Sequence, residues 1–273
     1  MTHDPKAVLE EAAARRLVFT ATAGRTGTAY VTELFKELRD TLATHEPEPN
    51  FVHVMRRAQE HAPVAVDFLL RHKLPWIVAQ PQSAYVELSH LACKGFLEPM
   101  LTLGLRPGLL VLRRAPRDIA RSLLERKTVP GRTSGGWMYL LQPGDPNTLP
   151  FPGHAGASDY QLCFWYALEI ERRQARYAQL FTRAGCPVAA ATAAELNDYD
   201  TWVRAVDTLG LMDRLDPTTM PERHRAHTER AWNKNPDALP ATLDYDKQED
   251  AVWRQVLPWE PFLGAELAAH YGR

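Results

Sequence analysis

The hydrophobic positions in the first part of the chain change from helical to strand-like spacing and back again. Residues 5–15 have the pattern of a short helix, and the compact apolar run at 17–22 is typical of a strand. A glycine-containing turn follows at 24–28. From Thr28 onward, apolar residues recur at intervals of three and four as far as Leu42, which predicts a helix. This part of the chain therefore predicts a strand, a loop and a helix in succession.

The same succession recurs further along the chain. The uninterrupted apolar run at 109–112 is of the kind found in buried parallel strands, and Pro116 then opens a helix where its missing N–H costs little. Residues 128–157 are rich in Gly and Pro and predict a long surface loop of the kind that forms a lid or a substrate wall. The other predicted strands are 76–79 and 187–191, and 85–88 is either a continuation of the first of these or a separate strand. The other predicted helices cover roughly 53–73, 93–103, 160–183, 199–209 and a C-terminal stretch from about Phe262.

This alternation predicts the fold class and the place of the functional site. An α/β protein is expected, with a parallel sheet flanked by helices on both faces, and residues 1–273 are expected to form one domain. In such folds the ligand binds at the carboxyl ends of the strands. Candidate residues are therefore those in the loops that follow the predicted strands.

The charge balance limits the kinds of partner. The chain has 32 Lys and Arg residues against 33 Asp and Glu residues, a formal charge of −1, and 45% of its residues are hydrophobic. This composition excludes a disordered or fibrous protein and argues against broad adhesion to nucleic acid or to an anionic membrane. Any binding of anions must therefore be confined to a local pocket.

The cysteines and the N-terminal residues bear on location. Cys93, Cys163 and Cys186 are widely spaced without a C-x-x-C pattern, which predicts neither a disulfide framework nor a zinc site. The histidines likewise lack the spacing of metal ligands, so no metal is expected. There is no apolar secretory core near the start, and no run approaches the ~18 apolar residues of a membrane span. We therefore expect a soluble cytoplasmic protein.

The turn at 24–28, Gly-Arg-Thr-Gly-Thr, has the chemistry of an anion site. Where a strand gives way to a helix, backbone N–H groups and the helix dipole converge on an anion. The turn is not a Walker A motif, because Thr28 and Ala29 occupy the Lys and Ser/Thr positions, so the usual Mg²⁺ ligand is missing. Arg25 supplies a cation within the loop. The alternative is a plain strand-to-helix turn.

A second basic segment follows the predicted strand at 109–112. Arg114 lies at the carboxyl end of that strand and Ser122 about two turns into the next helix. A guanidinium and a hydroxyl suit a phosphate, which would then be a second one. The alternative is a solvated helix face. Its members would be Arg113, Arg117 and Arg121, paired with Asp118 and Glu125.

The two segments together resemble motifs of the P-loop, 3′-phosphoadenosine 5′-phosphosulfate (PAPS)-dependent sulfotransferases. The run Arg-Thr-Gly-Thr-Ala-Tyr at 25–30 resembles the family's 5′-phosphosulfate loop. The run Arg-Ala-Pro-Arg-Asp-Ile-Ala-Arg-Ser at 114–122 resembles its 3′-phosphate motif, with Arg and Ser eight positions apart. Glu195-Leu196 and 209–211 look like further landmarks, so the resemblance covers roughly residues 16–211. It implies a P-loop NTPase-like sheet and transfer of a sulfuryl group from PAPS.

The resemblance also implies roles for individual residues. Arg25 would contact the bridging and sulfuryl oxygens, Tyr30 would stack on adenine, and Arg114 with Ser122 would bind the 3′-phosphate. The implied cofactor-binding residues are Gly24, Arg25, Thr26, Gly27, Thr28, Ala29, Tyr30, Arg114 and Ser122. The chain departs from the family pattern at Ala29 and Ala115 and lacks the family's C-terminal Gly-x-x-Gly-Asp-Trp-Lys segment. A basic cluster is the candidate substitute: Arg223, Arg225, Arg230 and Lys234.

Transfer to a hydroxyl requires a base, and a histidine of near-neutral pKa suits that task. The segment 88–91, Leu-Ser-His-Leu, resembles the Lys-Thr-His-Leu segment that carries the catalytic histidine of cytosolic sulfotransferases. His90 is therefore the predicted base, and Glu87 is its rival, since other branches of the family use a glutamate. Because Leu88 replaces the lysine, stabilisation of the leaving group falls to Arg25. The alternative is that His90 has only a packing or capping role.

These observations favour one function and leave two alternatives. The favoured function is transfer of a sulfuryl group from PAPS to a hydroxyl of a small molecule or a carbohydrate. One alternative is a P-loop kinase of a small metabolite, which should need the Lys-Ser/Thr pair that this chain lacks. The other is a catalytically inactive module of the same fold that binds the nucleotide. The sequence does not identify the acceptor or the oligomeric state.

Overall fold

A computed structural model describes residues 4–230 and 243–271 of the chain. The strands are β1 (Arg16–Ala21), β2 (Thr41–Thr44), β3 (Ala84–Glu87), β4 (Gly108–Arg113) and β5 (Val188–Thr192). The helices are α1 (Pro5–Ala13), α2 (Thr28–Lys36), α3 (Met55–Glu60), α4 (Ala62–Phe68), α5 (Leu74–Val78), α6 (Leu97–Thr102), α7 (Pro116–Glu125), α8 (Ser134–Tyr139), α9 (Asp159–Arg183), α10 (Tyr199–Thr208), α11 (Met220–Thr228), α12 (Tyr245–Val256) and α13 (Leu263–Tyr271). A π-helical turn, Leu69–Lys73, connects α4 to α5.

The described residues divide into two compact units. The first unit comprises residues 4–113 and 176–230 and contains the five strands. The second comprises residues 114–175 and 243–271 and contains α7, α8, α12, α13 and most of α9. None of the helices in the described ranges is long and apolar enough to cross a membrane.

The sheet of the first unit confirms the predicted α/β class. Its five strands are all parallel and lie in the order β2-β3-β1-β4-β5. The central strand β1 pairs with β3 through Val18 and Val86 and with β4 through Ala21 and Val111. Because the carboxyl ends of parallel strands meet at one edge, the loops after β1, β2 and β3 lie along the same edge.

Helices cover both faces of this sheet. On one face, Val31, Leu34 and Phe35 of α2 are buried at helical spacing, and the Phe35 ring lies 6.3 Å from that of Trp202 in α10. On the other face, the Tyr85 ring lies 5.9 Å from the ring of Trp76 in α5. A sheet covered in this way has strands that are apolar on both sides, which explains the continuous apolar runs in the sequence.

The second unit is built around α9, whose predicted range was close to the observed one. Trp165 of α9 is buried and its indole N–H donates to the carbonyl oxygen of Leu149 at 3.0 Å. The Glu169 carboxylate accepts from the backbone N–H of Leu149 at 2.9 Å. The Gly- and Pro-rich segment 128–157 is therefore anchored to α9 at Leu149, and it contains the short helix α8.

One predicted helix was too long, and one predicted strand was wrong. The helix predicted through Leu42 ends at Lys36, and Thr41–Thr44 is the edge strand β2. The helical spacing continued by chance across the turn because Leu38 and Leu42 are both apolar. Residues 76–79 were predicted as a strand, but they lie in and just after helix α5, which has Pro75 in its first turn. A four-residue apolar run fits either a strand or a buried helix.

Other predictions were right in type and inexact in extent. The helix predicted over 53–73 is interrupted and forms α3, α4 and the π-helical turn. The helix predicted over 93–103 begins only at Leu97, because the preceding residues form turns. The sequence pattern gave no indication of α12. The first half of this helix is polar, and of its buried residues, Glu249, Val252 and Val256, only two are apolar, so its apolar spacing is too sparse to stand out.

Candidate functional site

The loop between β1 and α2 has the backbone shape of an anion-binding nest. Gly24, Arg25 and Gly27 have φ angles of 75°, 59° and 91°, and Gly27 is the N-cap of α2. Backbone segments that alternate into the left-handed region turn successive N–H groups toward one side. The first N–H groups of a helix have no partner within that helix and carry its positive dipole end. This part of the chain is therefore suited to hold a phosphate or sulfate oxygen.

Two close approaches fix the position of this loop. A Cβ atom placed on Gly24 would lie 3.3 Å from the His90 ring, so the loop lies directly against that ring. A Cβ on Gly27 would lie only 2.7 Å from the Cβ of Ala193, which follows β5. Because Gly27 combines this contact with a φ of 91°, only glycine fits there without a shift of the backbone.

The hydroxyl groups of the loop are held by internal hydrogen bonds. The hydroxyls of Thr22 and Thr26 lie 2.6 Å apart, and both side chains are buried. The Thr28 hydroxyl lies 3.0 Å from Nε2 of His45, which follows β2. The Thr32 hydroxyl donates to the Thr28 carbonyl oxygen at 2.8 Å. These bonds hold the loop in one conformation.

A cluster of ionisable side chains lies beside the loop. It consists of His90 and Lys94 after β3 and of Glu46 after β2. Nδ1 of His90 lies 2.7 Å from the Lys94 ammonium, and its Nε2 lies 3.2 Å from a carboxylate oxygen of Glu46. The turn that carries His90 is fixed to the loop, because the Cys93 thiol donates to the Thr22 carbonyl oxygen at 3.4 Å. We call Glu46, His90 and Lys94 the basal cluster.

The charge state of His90 follows from its surroundings. Burial, and then electrostatic interaction with Lys94, His45 and Arg25, hold the pKa of His90 well below its usual value. The imidazole is therefore neutral at neutral pH. An ammonium group only donates, so Nδ1 of His90 accepts from Lys94 and the single ring proton lies on Nε2. That N–H is on the nitrogen that lies 3.2 Å from the Glu46 carboxylate.

Glu87, the rival base, has a different environment. Its carboxylate lies 2.8 Å from the Lys73 ammonium, and the side chains of both residues have no exposed surface. Its Oε2 also accepts from the Tyr85 hydroxyl at 2.5 Å, which together with burial raises the pKa of Tyr85. The Lys73 ammonium in turn donates to the Pro49 carbonyl oxygen at 3.0 Å. Glu87 is thus part of a fully buried ion pair with Lys73.

The remaining loop residues differ in exposure. Ala29 lies in the first turn of α2 and is partly exposed. The Tyr30 side chain is only 6% exposed and belongs to the core cluster under the sheet. Burial raises the pKa of Tyr30 to about 12. Stacking of its ring on a base therefore requires the ring to become accessible when a ligand binds.

The residues predicted to bind the 3′-phosphate belong to the second unit. Arg114 follows β4 directly and its side chain is 40% exposed, with its Nε 4.0 Å from Asp118. Ser122 is buried in α7. In the C-terminal basic cluster, Arg223 makes an ion pair with Glu37 at 2.9 Å. Lys234 lies outside the described residues.

Sequence reasoning missed three residues at this edge: His45, Glu46 and Lys94. His45 and Glu46 follow β2, a strand that the sequence pattern did not reveal. Lys94 lies four positions after His90, a spacing that was visible in the sequence but carried no meaning without the turn geometry. Within residues 4–230 and 243–271, no group of three or more His, Cys, Asp or Glu side chains is arranged to hold a metal ion.

Comparison with known proteins assigns no function to this site. The chain matches no protein-family model, no curated protein and no solved structure. The loop after β1 and the basal cluster beside it are therefore the features that bear on its function.

Proposed function

We propose that this chain is a PAPS-dependent sulfotransferase with a P-loop NTPase-like sheet. The observation that carries the proposal is the loop at 24–28. It joins the central parallel strand to a helix, has a nest-like backbone, contains Arg25 and lies directly against His90. The resemblance of residues 25–30 and 114–122 to the sulfotransferase motifs supports PAPS as the nucleotide.

The loop suits the phosphosulfate end of the donor. When bound, PAPS supplies the sulfuryl group and leaves as 3′-phosphoadenosine 5′-phosphate (PAP). The backbone around Gly27 and Thr28 would bind the 5′-phosphate, and Arg25 would stabilise negative charge on the bridging and sulfuryl oxygens. By analogy with phosphoryl transfer, the reaction is an in-line displacement that depends on positioning and charge. No metal is required for these roles, because Arg25 supplies the positive charge.

The basal cluster provides the route for the acceptor proton. Both ring nitrogens of His90 are engaged, Nδ1 by Lys94 and Nε2–H by Glu46. With these contacts in place, the Glu46 carboxylate is the group that can accept a proton from the acceptor hydroxyl. His90 then orients Glu46, and Lys94 fixes the tautomer of His90. The sequence predicts His90 as the base, with Glu87 as its rival, and the proposal gives this role to Glu46 instead.

We predict that Glu46→Gln lowers turnover more than His90→Gln does. Removing the proton acceptor should cost about 10²–10⁴ in rate, because that is the usual contribution of a general base. A glutamine at position 90 still donates to Glu46 and should retain more activity. Initial rates of PAP release with a saturating hydroxyl acceptor measure both variants. If His90→Gln is the more severe change, the base is His90 itself.

The nucleotide preference tests the assignment of the donor. In calorimetry, PAP should bind at least about tenfold more tightly than ATP without added Mg²⁺, because only PAP carries a 3′-phosphate. Arg114→Ala should abolish this preference, whereas Arg126→Ala, an exposed arginine just after α7, should leave it unchanged. Equal affinity for PAP and ATP, or a preference that survives Arg114→Ala, would contradict the proposal.

The same measurement separates the alternatives. A small-metabolite kinase would bind ATP more tightly and would require Mg²⁺. An inactive module would bind PAP but release none from PAPS with any acceptor. In that case Glu46→Gln and His90→Gln would change no measurable rate. Acceptor screens that include both small alcohols and carbohydrates decide between the two acceptor classes.

A further inference from the structure

A cleft in the second unit begins directly after Arg114, with Ala115, Pro116 and Arg117 in its wall, and the hydroxyl of Tyr271 in the same wall lies 3.1 Å from the Arg114 carbonyl oxygen. It has a volume of about 290 Å³ and lies among α7, α9, α12 and α13. Its apolar surface comes mainly from Phe164, Trp253, Leu257 and Leu267. Ligand sites are typically concave, largely apolar and about 300–1,000 Å³, so this cleft is at the small end of that range.

The size and the rings in the wall indicate the shape of an occupant. An engineered apolar cavity of about 150 Å³ holds benzene, so a cleft of this volume accommodates a molecule of one or two rings. The rings of Phe164 and Trp253 meet edge to face, with centroids 6.1 Å apart and an interplanar angle of 80°. Aromatic walls in this arrangement favour a further aromatic ring through edge-to-face or offset contacts.

Two of the three polar side chains in the lining, Arg117 and Glu249, make the cleft unfavourable for an anionic ligand. The Arg117 guanidinium donates to both carboxylate oxygens of Glu249 at 2.7 Å and also to Asp246. Its positive charge is therefore already balanced by two carboxylates. The Glu249 carboxylate is buried in the wall and would repel a ligand of the same sign.

The same side chains favour a ligand that donates a hydrogen bond. The Glu249 carboxylate only accepts hydrogen bonds, and besides those from Arg117 it already accepts one from the Tyr160 hydroxyl at 2.6 Å. The hydroxyl of the third polar side chain, Tyr271, lies 2.7 Å from the Glu171 carboxylate and 3.1 Å from the Arg114 carbonyl oxygen, and its one proton is donated to these acceptors, so toward a ligand its oxygen acts as an acceptor. The lining thus presents the Tyr271 oxygen as an acceptor within a mostly apolar surface.

We propose that this cleft binds a neutral aromatic alcohol of one or two rings. The rings lie against Phe164 and Trp253, and the hydroxyl donates to an acceptor oxygen of the wall. This site lies entirely within the second unit. The proposal therefore does not depend on sulfuryl transfer, and its test contains no nucleotide.

Calorimetry of the full chain with 2-naphthol tests the proposal. We expect saturable one-to-one binding of 2-naphthol and at least about tenfold weaker binding of 2-naphthoate, whose charge meets Glu249, and of 2-methoxynaphthalene, which has no donor. Absence of saturable binding of 2-naphthol would overturn the proposal. Equal binding of the three compounds would also overturn it, since the polar side chains would then play no part.

Matched variants locate the binding. Ala268 and Ala269 are adjacent exposed residues of α13, and of the two only Ala268 lines the cleft. Ala268→Phe should weaken binding of 2-naphthol at least about tenfold by filling the cleft, and Ala269→Phe should leave it unchanged. If Ala268→Phe lowers the melting temperature, Gly264→Leu replaces it, because a Cβ there meets Leu257 of the cleft at an ordinary 3.5 Å. Unchanged binding in a folded cleft variant would refute the location.

Discussion

Replacement of Arg25 by asparagine is expected to lower the rate of sulfuryl transfer by about 10²–10³-fold. Arg25 is the basic residue of the loop after β1, and its backbone has a φ of 59°. Asparagine tolerates this left-handed conformation better than alanine, so the substitution removes the guanidinium with little backbone strain. The loss is expected in the rate at saturating PAPS, because the charge that Arg25 stabilises develops during transfer.

Three comparisons make this result interpretable. The Arg25→Asn variant should keep the melting temperature of the wild type. Arg25→Lys should retain part of the activity, since a single cation remains without the planar fork of arginine. Arg16→Ala, at the opposite end of the same strand and exposed, should have no effect on the rate. If the turnover of Arg25→Asn stays within threefold of the wild-type value, the loop does not take part in the chemical step.

Replacement of Lys73 by methionine is expected to cost about 3–5 kcal/mol of the free energy of unfolding. The Lys73 ammonium lies 2.8 Å from Glu87 and 5.0 Å from the centroid of the Phe51 ring, and neither side chain of the ion pair has any exposed surface. Methionine fills a similar volume but leaves the Glu87 carboxylate buried without its cation. Equilibrium unfolding in urea measures the loss.

A double variant and a surface pair serve as controls. In Lys73→Met with Glu87→Gln, the uncompensated charge is gone and the glutamine oxygen still accepts from Tyr85, so more than half of the lost stability should return. Lys36→Met breaks the exposed pair with Glu33 and should change the free energy of unfolding by about 1 kcal/mol or less. If Lys73→Met costs no more than Lys36→Met, the buried pair does not stabilise the fold.

The part of the fold around β1 was predictable because local and long-range preferences agree there. A mostly apolar strand, a glycine turn and an amphipathic helix each leave a distinct pattern, and all three are present at residues 16–36, although the helix ends earlier than predicted. Helix α9 was predictable for the same reason, since its apolar spacing persists over many turns. A long periodic segment distinguishes a helix from a strand, whereas a four-residue apolar run fits either.

The rest of the site was not predictable, because it depends on strand order. Thr41–Thr44 has only Ala43 fully buried, so β2 lacks the apolar run that marks a strand. Without β2, nothing places His45 and Glu46 at the edge of the sheet. The contact between Glu46 and His90 joins residues that follow two different strands, and only the order β2-β3-β1 brings them together.

The contact between Gly27 and Ala193 restricts how this protein can be re-engineered. Ala193 takes no part in the proposed chemistry, yet its methyl group occupies the space into which any side chain at position 27 would extend. Replacing Ala193 by glycine would remove this overlap, but a side chain at position 27 would still sit on a left-handed backbone that L-residues rarely adopt. A directed-evolution library that aims to change donor preference should therefore keep glycine at position 27, whatever residue stands at position 193.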